Sequence, residues 1–293
     1  MALELPTEEL FDPYGGRTDI AASVIRAVSQ HFTDDPVRAL RAARQAAEFG
    51  YRVEKETLGQ MHACAEELGH EPSERMVGEL RRALMTPRPS VFFRVLHAAE
   101  LLTVTFPEIA ALVGQTQPTE FHPEGDAYCH TMQIVDVVAR KTQTIEARFA
   151  ALVHDIGKGK TPEEMLPHHY GHEQRGLLVL DAWNKRMTLP KSWLMAAYFV
   201  IKEHMRAPLL KKTGKIADLF LAVEKSGLSF ADFRRIICAD HGTLPYYLVH
   251  GEELLRKMFQ VRGTEAPPEL RGADVGKWLR EERVRRLAQL LPT

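Results

Sequence analysis

The spacing of apolar residues constrains the fold of this chain most strongly. Apolar side chains recur every three or four residues in "VFFRVLHAAELLTVTF", "MQIVDVVARKTQTIEARFAALVHD" and "WLMAAYFVIKEHM", which is the period of an amphipathic helix. Alternation of the kind that marks strands is scarce. Proline- and glycine-containing stretches such as "MTPRPS", "RMTLPKS" and "RGTEAPPELRG" separate the helical stretches. The sequence therefore predicts an all-α fold with short connections.

The breaks divide the chain into four predicted regions. Residues 1–30 form a short connector, and residues 31–115 form a first multi-helix region. A histidine-rich helical region follows over residues 116–249, and residues 250–293 form a small helical tail.

Composition narrows the classes of protein that fit. The 293 residues carry a formal net charge of -1, so any nucleic-acid contact must come from local basic stretches. Cys64, Cys129 and Cys238 are too far apart for a Cys-x-x-Cys metal site, and they favour a reducing compartment. No segment has the uninterrupted apolar length of a membrane span, and no secretory signal is present. We expect a cytoplasmic protein without a membrane partner.

One stretch, "RFAALVHDIGKG", places His154 and Asp155 at the end of an apolar run. Adjacent helical residues point about 100° apart, so both side chains reach one ion only near a helix end, which the glycines predict. His130 opens an apolar helix, and Asp240 lies on the apolar face of its helix, four residues after Ile236. A buried carboxylate there needs a partner such as a cation. We predict that His130, His154, Asp155 and Asp240 bind a divalent metal ion.

Other histidines lie close to this set in the sequence. His172 and His204 are candidate ligands of a second metal ion or of a phosphate group. His168 and His169 occupy a polar, proline-containing loop, where we expect them to be solvated. Taken singly, a histidine such as His130 is more often a helix-start or core residue than a metal ligand.

Lys158 and Lys160 are candidate phosphate contacts beside the His-Asp pair, although lysines flanked by glycine are also common on loop surfaces. Asp240 alone could pair with a nearby arginine. Mixed imidazole and carboxylate ligands suit nickel, manganese, iron or cobalt and do not choose among these metals.

Five spaced stretches resemble bacterial CCA-adding tRNA nucleotidyltransferases that carry an HD domain. They are "DPYGGRTDI", "TDDPVRALRAAR", "FHPEGDAYCHT", "HDIGKGKTP...HHYGHEQRG" and "LRGADVGKWLREERVRRL", and they keep the family's order. The set His130, His154-Asp155 and Asp240 also resembles the HD superfamily of metal-dependent phosphohydrolases. By this resemblance residues 31–115 are a neck region, and residues 116–249 are an HD region.

The resemblance implies an activity for the HD region. It implies 2′,3′-cyclic phosphodiesterase, 2′-nucleotidase and phosphatase activities, with nickel or magnesium as the cofactor. The substrate would be a nucleotide or an RNA 3′ end, and the transition state would be stabilised by protein side chains. The predicted catalytic residues are His154, Asp155, Lys158, His172 and His204.

The neck region contains a candidate nucleotide-binding helix. Asp35, before Pro36, is placed to cap this helix, and Arg38, Arg41 and Arg44 follow at intervals of three residues. A cap followed by a solvated basic stripe would explain the same pattern. The resemblance implies that Asp35 and Arg38 select cytosine or adenine through hydrogen bonds.

The family's polymerase head motifs do not occur in this sequence. There is no Asp-x-Asp pair that could bind catalytic metal ions, so we expect no addition of CTP or ATP by this chain alone. Our main interpretation is a metal-dependent phosphohydrolase. The alternative is the RNA-binding and HD subunit of a split or mis-started CCA-adding enzyme, with tRNA and a separately encoded polymerase head as partners.

Basic residues cluster in three places despite the near-zero net charge. Such clusters are solvated helix faces in many proteins, and in an RNA-binding protein they contact phosphates. The three clusters are Arg38, Arg41 and Arg44; Lys211, Lys212 and Lys215; and Arg280, Arg283, Arg285 and Arg286.

Overall fold

A computed structural model describes residues 2–3, 10–120, 123 and 125–292. Residues 1 and 4–9 of the predicted connector therefore lie outside the described residues, as do Phe121, His122 and Glu124 of the "FHPEGDAYCHT" stretch and Thr293. Over the described ranges, β-structure is limited to two short pairs. Strands β1 (Ala2–Leu3) and β2 (Leu10–Phe11) are antiparallel, and strands β3 (Val24–Ile25) and β4 (Arg52–Val53) are parallel.

Helices make up almost all other regular structure, which confirms the predicted all-α fold. Helices of the connector and neck region are α1 (Gly16–Ala21), α2 (Val37–Phe49), α3 (Lys55–Ala63), α4 (Ala65–Leu68), α5 (Ser73–Leu84), α6 (Pro89–Ala98), α7 (Leu102–Thr105) and α8 (Pro107–Ala110). A 3-10 helix, Gln30–Asp34, precedes α2.

The HD region and the tail continue the helical architecture. Their helices are α9 (Ala127–Lys141), α10 (Ile145–Val153), α11 (His172–Arg186), α12 (Lys191–Glu203), α13 (Thr213–Ser226), α14 (Phe230–His241), α15 (Tyr246–Val249), α16 (Gly251–Phe259) and α17 (Ala273–Ala288). Short 3-10 helices are Ile156–Lys160, Glu163–Met165, Ala207–Leu209 and Gly263–Glu265.

The predicted breakers lie at helix ends. Helix α6 begins at Pro89, where the missing N–H of proline costs no helical hydrogen bond. Pro190 precedes α12, and the glycine-containing segment "IGKGK" ends the continuous helix at Val153. Local sequence therefore sets the helix boundaries that expose His154 and Asp155 at a helix terminus.

Two hydrophobic cores hold the helices together. The first crosses the predicted boundary between the neck and HD regions, because Phe106 packs on Trp183 with ring centroids 6.0 Å apart and Trp183 also contacts Phe149. The second core joins the back of the HD region to the tail and includes Phe233 and Leu287. The exact domain boundaries remain a prediction.

A buried arginine also ties the neck region to the HD region. Arg148, on α10, donates to the carbonyl oxygens of Leu84, the last residue of α5, and of Thr86, two residues beyond it, at 2.7 and 3.1 Å. It also donates to the carbonyl oxygens of Ala139 and Thr142 at the end of α9, at 2.7 and 2.9 Å. The last carbonyls of a helix have no helical partner, so one guanidinium satisfies two helix ends at once.

No helix among the described residues is both long and apolar enough to cross a membrane.

Candidate metal centre

Five helices bring their ends, or residues near them, to one buried point. His154 directly follows α10, His172 begins α11, and His204 directly follows α12. His130 lies in the first turn of α9, and Asp240 lies next to the last residue of α14. The structure thus brings together all of these sequence-predicted residues with Asp155 and Lys158.

Asp155 lies at the centre of this His/Asp cluster. Its Oδ2 atom is 3.3 Å from Nε2 of His154 and 3.8 Å from Nε2 of His130. Its Oδ1 atom faces the other way, 3.2 Å from Nε2 of His172 and 3.3 Å from Nε2 of His204. The two carboxylate oxygens therefore serve two separate groups of histidines.

These two groups have the dimensions of metal sites. In His130, His154 and Asp155, and again in Asp155, His172 and His204, the potential ligand atoms lie within 4.8 Å of one another. Asp240 joins the first group, with its Oδ1 atom 3.1 Å from Nε2 of His130.

Three of the histidines are oriented by backbone carbonyls. Nδ1 of His154 lies 2.8 Å from the carbonyl oxygen of Ala151, and Nδ1 of His172 lies 2.9 Å from that of His169. Nδ1 of His204 lies 3.0 Å from the carbonyl oxygen of Ile201. A carbonyl oxygen only accepts, so each Nδ1 donates to its carbonyl and each Nε2 points towards the cluster, the orientation that metal-binding histidines adopt.

Several polar atoms at the centre have ionic neighbours at 3.2–3.3 Å but no hydrogen bond. Among the described residues, the buried atoms Nε2 of His154, Oδ1 of Asp155 and Oδ2 of Asp240 make no hydrogen bond. Leaving such groups unsatisfied is costly, and a cation would satisfy all three. The donor set of imidazole nitrogens and carboxylate oxygens fits a divalent transition metal.

The pKa shifts at the cluster also favour a bound cation. Burial opposes protonation of His154, but Asp155 and Asp240 outweigh it and raise the pKa of His154 to about 9. Burial alone would raise the pKa of Asp155, yet Lys158 and His154 hold that pKa well below its usual range. The two carboxylates therefore stabilise positive charge at the centre.

The sequence "HDIGKG" gives Lys158 and Gly157 distinct positions. Lys158 is buried, and its Nζ atom lies 2.6 Å from Oδ2 of Asp155 and 2.6 Å from Oε1 of Gln117. Lys160, by contrast, is exposed. At Gly157 a Cβ atom would lie 1.9 Å from the carbonyl oxygen of His172, so the close approach of this turn to α11 requires glycine.

A cavity of about 490 Å³ opens above the cluster. Its walls include Asp155, Lys158, His172 and Asp240 from the predicted set. The cavity therefore gives a small ligand access to the cluster, and its volume lies in the usual range for ligand sites.

Sequence reasoning missed several residues of this cavity, among them Gln117, Tyr170, Met205 and His241. His241 follows Asp240 directly, and its Nε2 atom lies 3.2 Å from Oδ2 of that residue. Adjacency to Asp240 was a usable signal for His241. Nothing in the local pattern marks Gln117 or Met205.

The expectation for the "LPHHYGH" loop was right for His168 and wrong for His169. His168 is exposed, whereas His169 is buried. Nδ1 of His169 lies 2.7 Å from the hydroxyl oxygen of Thr161, and its Nε2 atom lies 3.0 Å from the carbonyl oxygen of Thr116. Burial lowers the pKa of His169 to about 4, so this residue is a neutral anchor of the loop.

The candidate nucleotide-binding residues of the neck, Asp35 and Arg38, are engaged in contacts within the protein. Helix α2 begins at Val37, so Pro36 occupies the capping position and Asp35 accepts from the Val37 N–H at 3.3 Å. Oδ1 of Asp35 lies 2.7 Å from Nη2 of Arg75. The Arg38 side chain donates to the carbonyl oxygen of His31, and its backbone N–H donates to the carbonyl oxygen of Asp35.

The remaining arginines of α2 are paired with a carboxylate. Nε of Arg41 and Nε of Arg44 lie 3.3 and 3.0 Å from the carboxylate oxygens of buried Glu79. The solvated basic stripe, given above as the alternative explanation of this pattern, is therefore partly an ion-pair network inside the neck.

The arginines of the tail also differ in their contacts. Arg280 pairs with Asp218 at 2.9 Å, and Arg283 lies over the Phe259 ring at 4.4 Å from its centroid. Arg286 is exposed, and so are the three lysines Lys211, Lys212 and Lys215. Helix α17 packs on α13, so the lysines and Arg280 lie on neighbouring elements.

Fold and site together define a helical metal-binding protein with a buried His/Asp centre. Two domain families match the chain: "Probable RNA and SrmB-binding site of polymerase A" over residues 50–112 and "HD domain" over residues 127–241. The HD match and the cluster together indicate divalent-metal binding, and they do not identify the metal.

Curated relatives give the family. The multifunctional CCA protein of Ectopseudomonas mendocina is 36% identical over 300 residues, which cover 95% of this chain and 72% of the relative. That of Nitrosococcus oceani is 44% identical over 197 residues, covering 67% of this chain and only 48% of the relative. The chain belongs to the multifunctional CCA protein family, a family of enzymes.

Solved structures agree on the fold. A Thermotoga maritima CCA-adding enzyme complexed with tRNA matches 98% of this chain and 66% of its own, with a TM-score of 0.58 and 17% identity. A CCA-adding enzyme with CTP matches 96% of this chain and 63% of its own, with a TM-score of 0.57 and 17% identity.

Proposed function

We propose that this chain is the RNA-binding and HD portion of a CCA-adding tRNA nucleotidyltransferase. The observation that carries the proposal is the 36% identity to a multifunctional CCA protein across 95% of this chain. This is the function that sequence analysis placed second, and it fits the relatives better than a stand-alone hydrolase does. The polymerase head would come from a separate chain or from a longer form of this one.

Surface charge supports tRNA as the partner. Lys211, Lys212 and Lys215 are exposed at the start of α13, beside the arginine-bearing helix α17. Exposed lysines on adjacent elements suit a phosphate backbone, because they bind it as point charges without a required sequence. Binding of tRNA to the purified chain tests the proposal, and a lack of binding at low salt would contradict it.

The HD region supports a second function, metal-dependent hydrolysis of phosphate esters. The observation that favours it is the set of imidazole Nε2 atoms and carboxylate oxygens without hydrogen bonds at the base of an open cavity. His130, His154, Asp155 and Asp240 would hold the divalent ion. A bound ion lowers the pKa of a water molecule and polarises a phosphoryl oxygen.

Other residues of the cluster would position the substrate. His172 and His204 place Nε2 atoms 3.2 Å apart beside Asp155, where they would bind a phosphoryl oxygen or a second ion. Lys158 holds the Asp155 carboxylate in place and contributes positive charge near the cavity floor. A 2′-phosphate or 2′,3′-cyclic phosphate of a nucleotide or RNA 3′ end would be the substrate.

Replacement of Asp155 tests the metal-dependent activity. Asp155→Asn should abolish bound nickel or manganese and lower hydrolysis of adenosine 2′,3′-cyclic phosphate at least about a hundredfold, because loss of a ligand costs more than loss of a residue that supports one. Metal content by mass spectrometry and circular dichroism separate loss of metal from loss of fold. Asp34→Asn, at an exposed aspartate of the neck, is the matched control. Full metal content and activity in Asp155→Asn would rule out the site.

A further inference from the structure

An exposed pair of aromatic rings lies at the mouth of the cavity above the His/Asp cluster. The rings of His168 and Tyr170 are stacked, with centroids 5.5 Å apart and planes 22° from parallel. Both residues line the cavity that also contains Asp155 and His172. Tyr170 is 71% exposed, so its ring is available to a ligand.

The backbone beneath these rings is held firmly. His169, between them, is buried and bonded to Thr161 and to the carbonyl oxygen of Thr116. Nη1 of Arg175 donates to the carbonyl oxygen of Tyr170 at 2.8 Å, and Nη2 of Arg175 donates to the Thr161 hydroxyl at 3.1 Å. A single exposed tyrosine is ordinary, but an anchored aromatic pair at a cavity mouth is preorganised for binding.

The floor of the cavity is charged and its mouth is aromatic, and this combination fits one class of ligand. The floor combines the buried Lys158 with imidazoles, which suits a phosphate, and the mouth offers flat aromatic surface. Met205, which is partly exposed, adds an apolar side chain to the same cavity. A nucleoside phosphate carries both a phosphate and a flat base.

We propose that Tyr170 and His168 form a stacking platform that binds the base of a nucleoside phosphate while its phosphate lies at the His/Asp cluster. This inference rests on the proposed phosphohydrolase function and assigns its preference for nucleotides over simple phosphate esters. Stacking accepts every base, so discrimination among bases is weak.

Matched ligands isolate the base. Adenosine 5′-monophosphate and ribose 5-phosphate differ only by the base, so the ratio of their dissociation constants, measured by calorimetry on the metal-loaded chain, reports the platform. We expect the wild-type chain to bind the nucleotide at least about fivefold more tightly, in keeping with the strength of base stacking on an aromatic ring. Tyr170→Ala should remove this preference, and Tyr170→Phe should keep it.

A second tyrosine–histidine pair supplies the control. Tyr246 is 44% exposed and lies 4.2 Å, between ring centroids, from His250, outside the cavity walls. Tyr246→Ala should leave the preference for the nucleotide unchanged. Equal affinity for the two ligands in the wild-type chain, no measurable nucleotide binding, or an intact preference in Tyr170→Ala would overturn the platform.

Hydrolysis in the same samples separates this inference from the function on which it rests. Tyr170→Ala should raise the KM for adenosine 2′-monophosphate and leave kcat/KM for glycerol 2-phosphate unchanged. Hydrolysis without a base preference overturns the platform alone. A base preference with no hydrolysis of any ester overturns the phosphohydrolase and keeps the platform.

Discussion

At the scale of single residues, the centre depends on histidines that are fixed by their own helices. His154 and His204 follow the last residues of α10 and α12, where carbonyl oxygens have no helical partner. Each imidazole donates a hydrogen bond from Nδ1 to the carbonyl oxygen three residues earlier. This bond directs Nε2 away from the helix. Helix ends are therefore both the reason these side chains are oriented and the reason they can meet.

Gly157 is the residue whose replacement should disturb the centre most without removing a ligand. Gly157→Ala would put a Cβ atom 1.9 Å from the His172 carbonyl oxygen and 2.4 Å from the Gly176 nitrogen, and both are backbone atoms. We expect a loss of stability of about 1–3 kcal/mol, typical of overpacking, and about tenfold weaker metal binding. Urea unfolding and metal titration measure the two effects.

Gly59 provides the control for that substitution. It lies within α3, and a Cβ atom there would meet nothing within 4 Å. Gly59→Ala should leave metal binding unchanged and alter stability by no more than about 1 kcal/mol, in the stabilising direction. Similar behaviour of the two variants would contradict the account of the close approach at Gly157.

At the scale of elements, Arg148 joins the ends of α5 and α9 to α10. Its guanidinium is buried and donates to four carbonyl oxygens, two in the neck region and two in the HD region. Because α10 also ends at the His-Asp pair, this arginine sets the position of the helix that delivers the centre.

Arg148→Met should destabilise the whole chain. Methionine has a similar volume, but the carbonyl oxygens would remain buried without donors, which should cost at least about 3 kcal/mol. Thermal and urea unfolding measure the loss. Arg140→Met, at an exposed arginine of α9, should change stability by less than about 0.5 kcal/mol. If Arg148→Met lost as little stability as Arg140→Met, water would have to satisfy the carbonyl oxygens at these helix ends.

Local pattern was enough to predict some elements of the centre and not others. The apolar period and the glycines after Asp155 predicted a helix ending at the His-Asp pair, and the apolar face of α14 predicted that the Asp240 side chain faces inward, where it is 8% exposed. The burial of His169 depends on Thr116, 53 residues away, and no local signal carries that contact. The pairing of Arg41 with Glu79 is equally non-local, so a stripe that looked solvated is partly neutralised.

At the scale of the whole molecule, the neck and HD regions share one core, and their surface offers basic residues for a large partner. Phe106 and Trp183 pack across the predicted boundary, so the two regions would present a continuous surface to an RNA. Among the predicted basic residues, Arg280 and Arg283 are engaged by Asp218 and Phe259. The exposed lysines around the start of α13, Lys211, Lys212 and Lys215, therefore provide the cleaner test of RNA binding.

Binding of tRNA as a function of salt tests the central claim, that this chain is the RNA-binding and HD portion of a CCA-adding enzyme. We predict that fluorescence anisotropy will detect tRNA binding at low salt and that affinity will fall at least about tenfold from 50 to 200 mM salt, because bound counterions are released. Replacing Lys211, Lys212 and Lys215 with glutamate should weaken binding. It should also make the slope of log K against log salt concentration shallower by roughly 0.7–0.9 for each phosphate contact that is lost. The charge-matched replacement of exposed Lys185, Lys191 and Lys202 should have a smaller effect. No binding at low salt, or binding that is indifferent to salt and to the replacement of these three lysines, would contradict the claim.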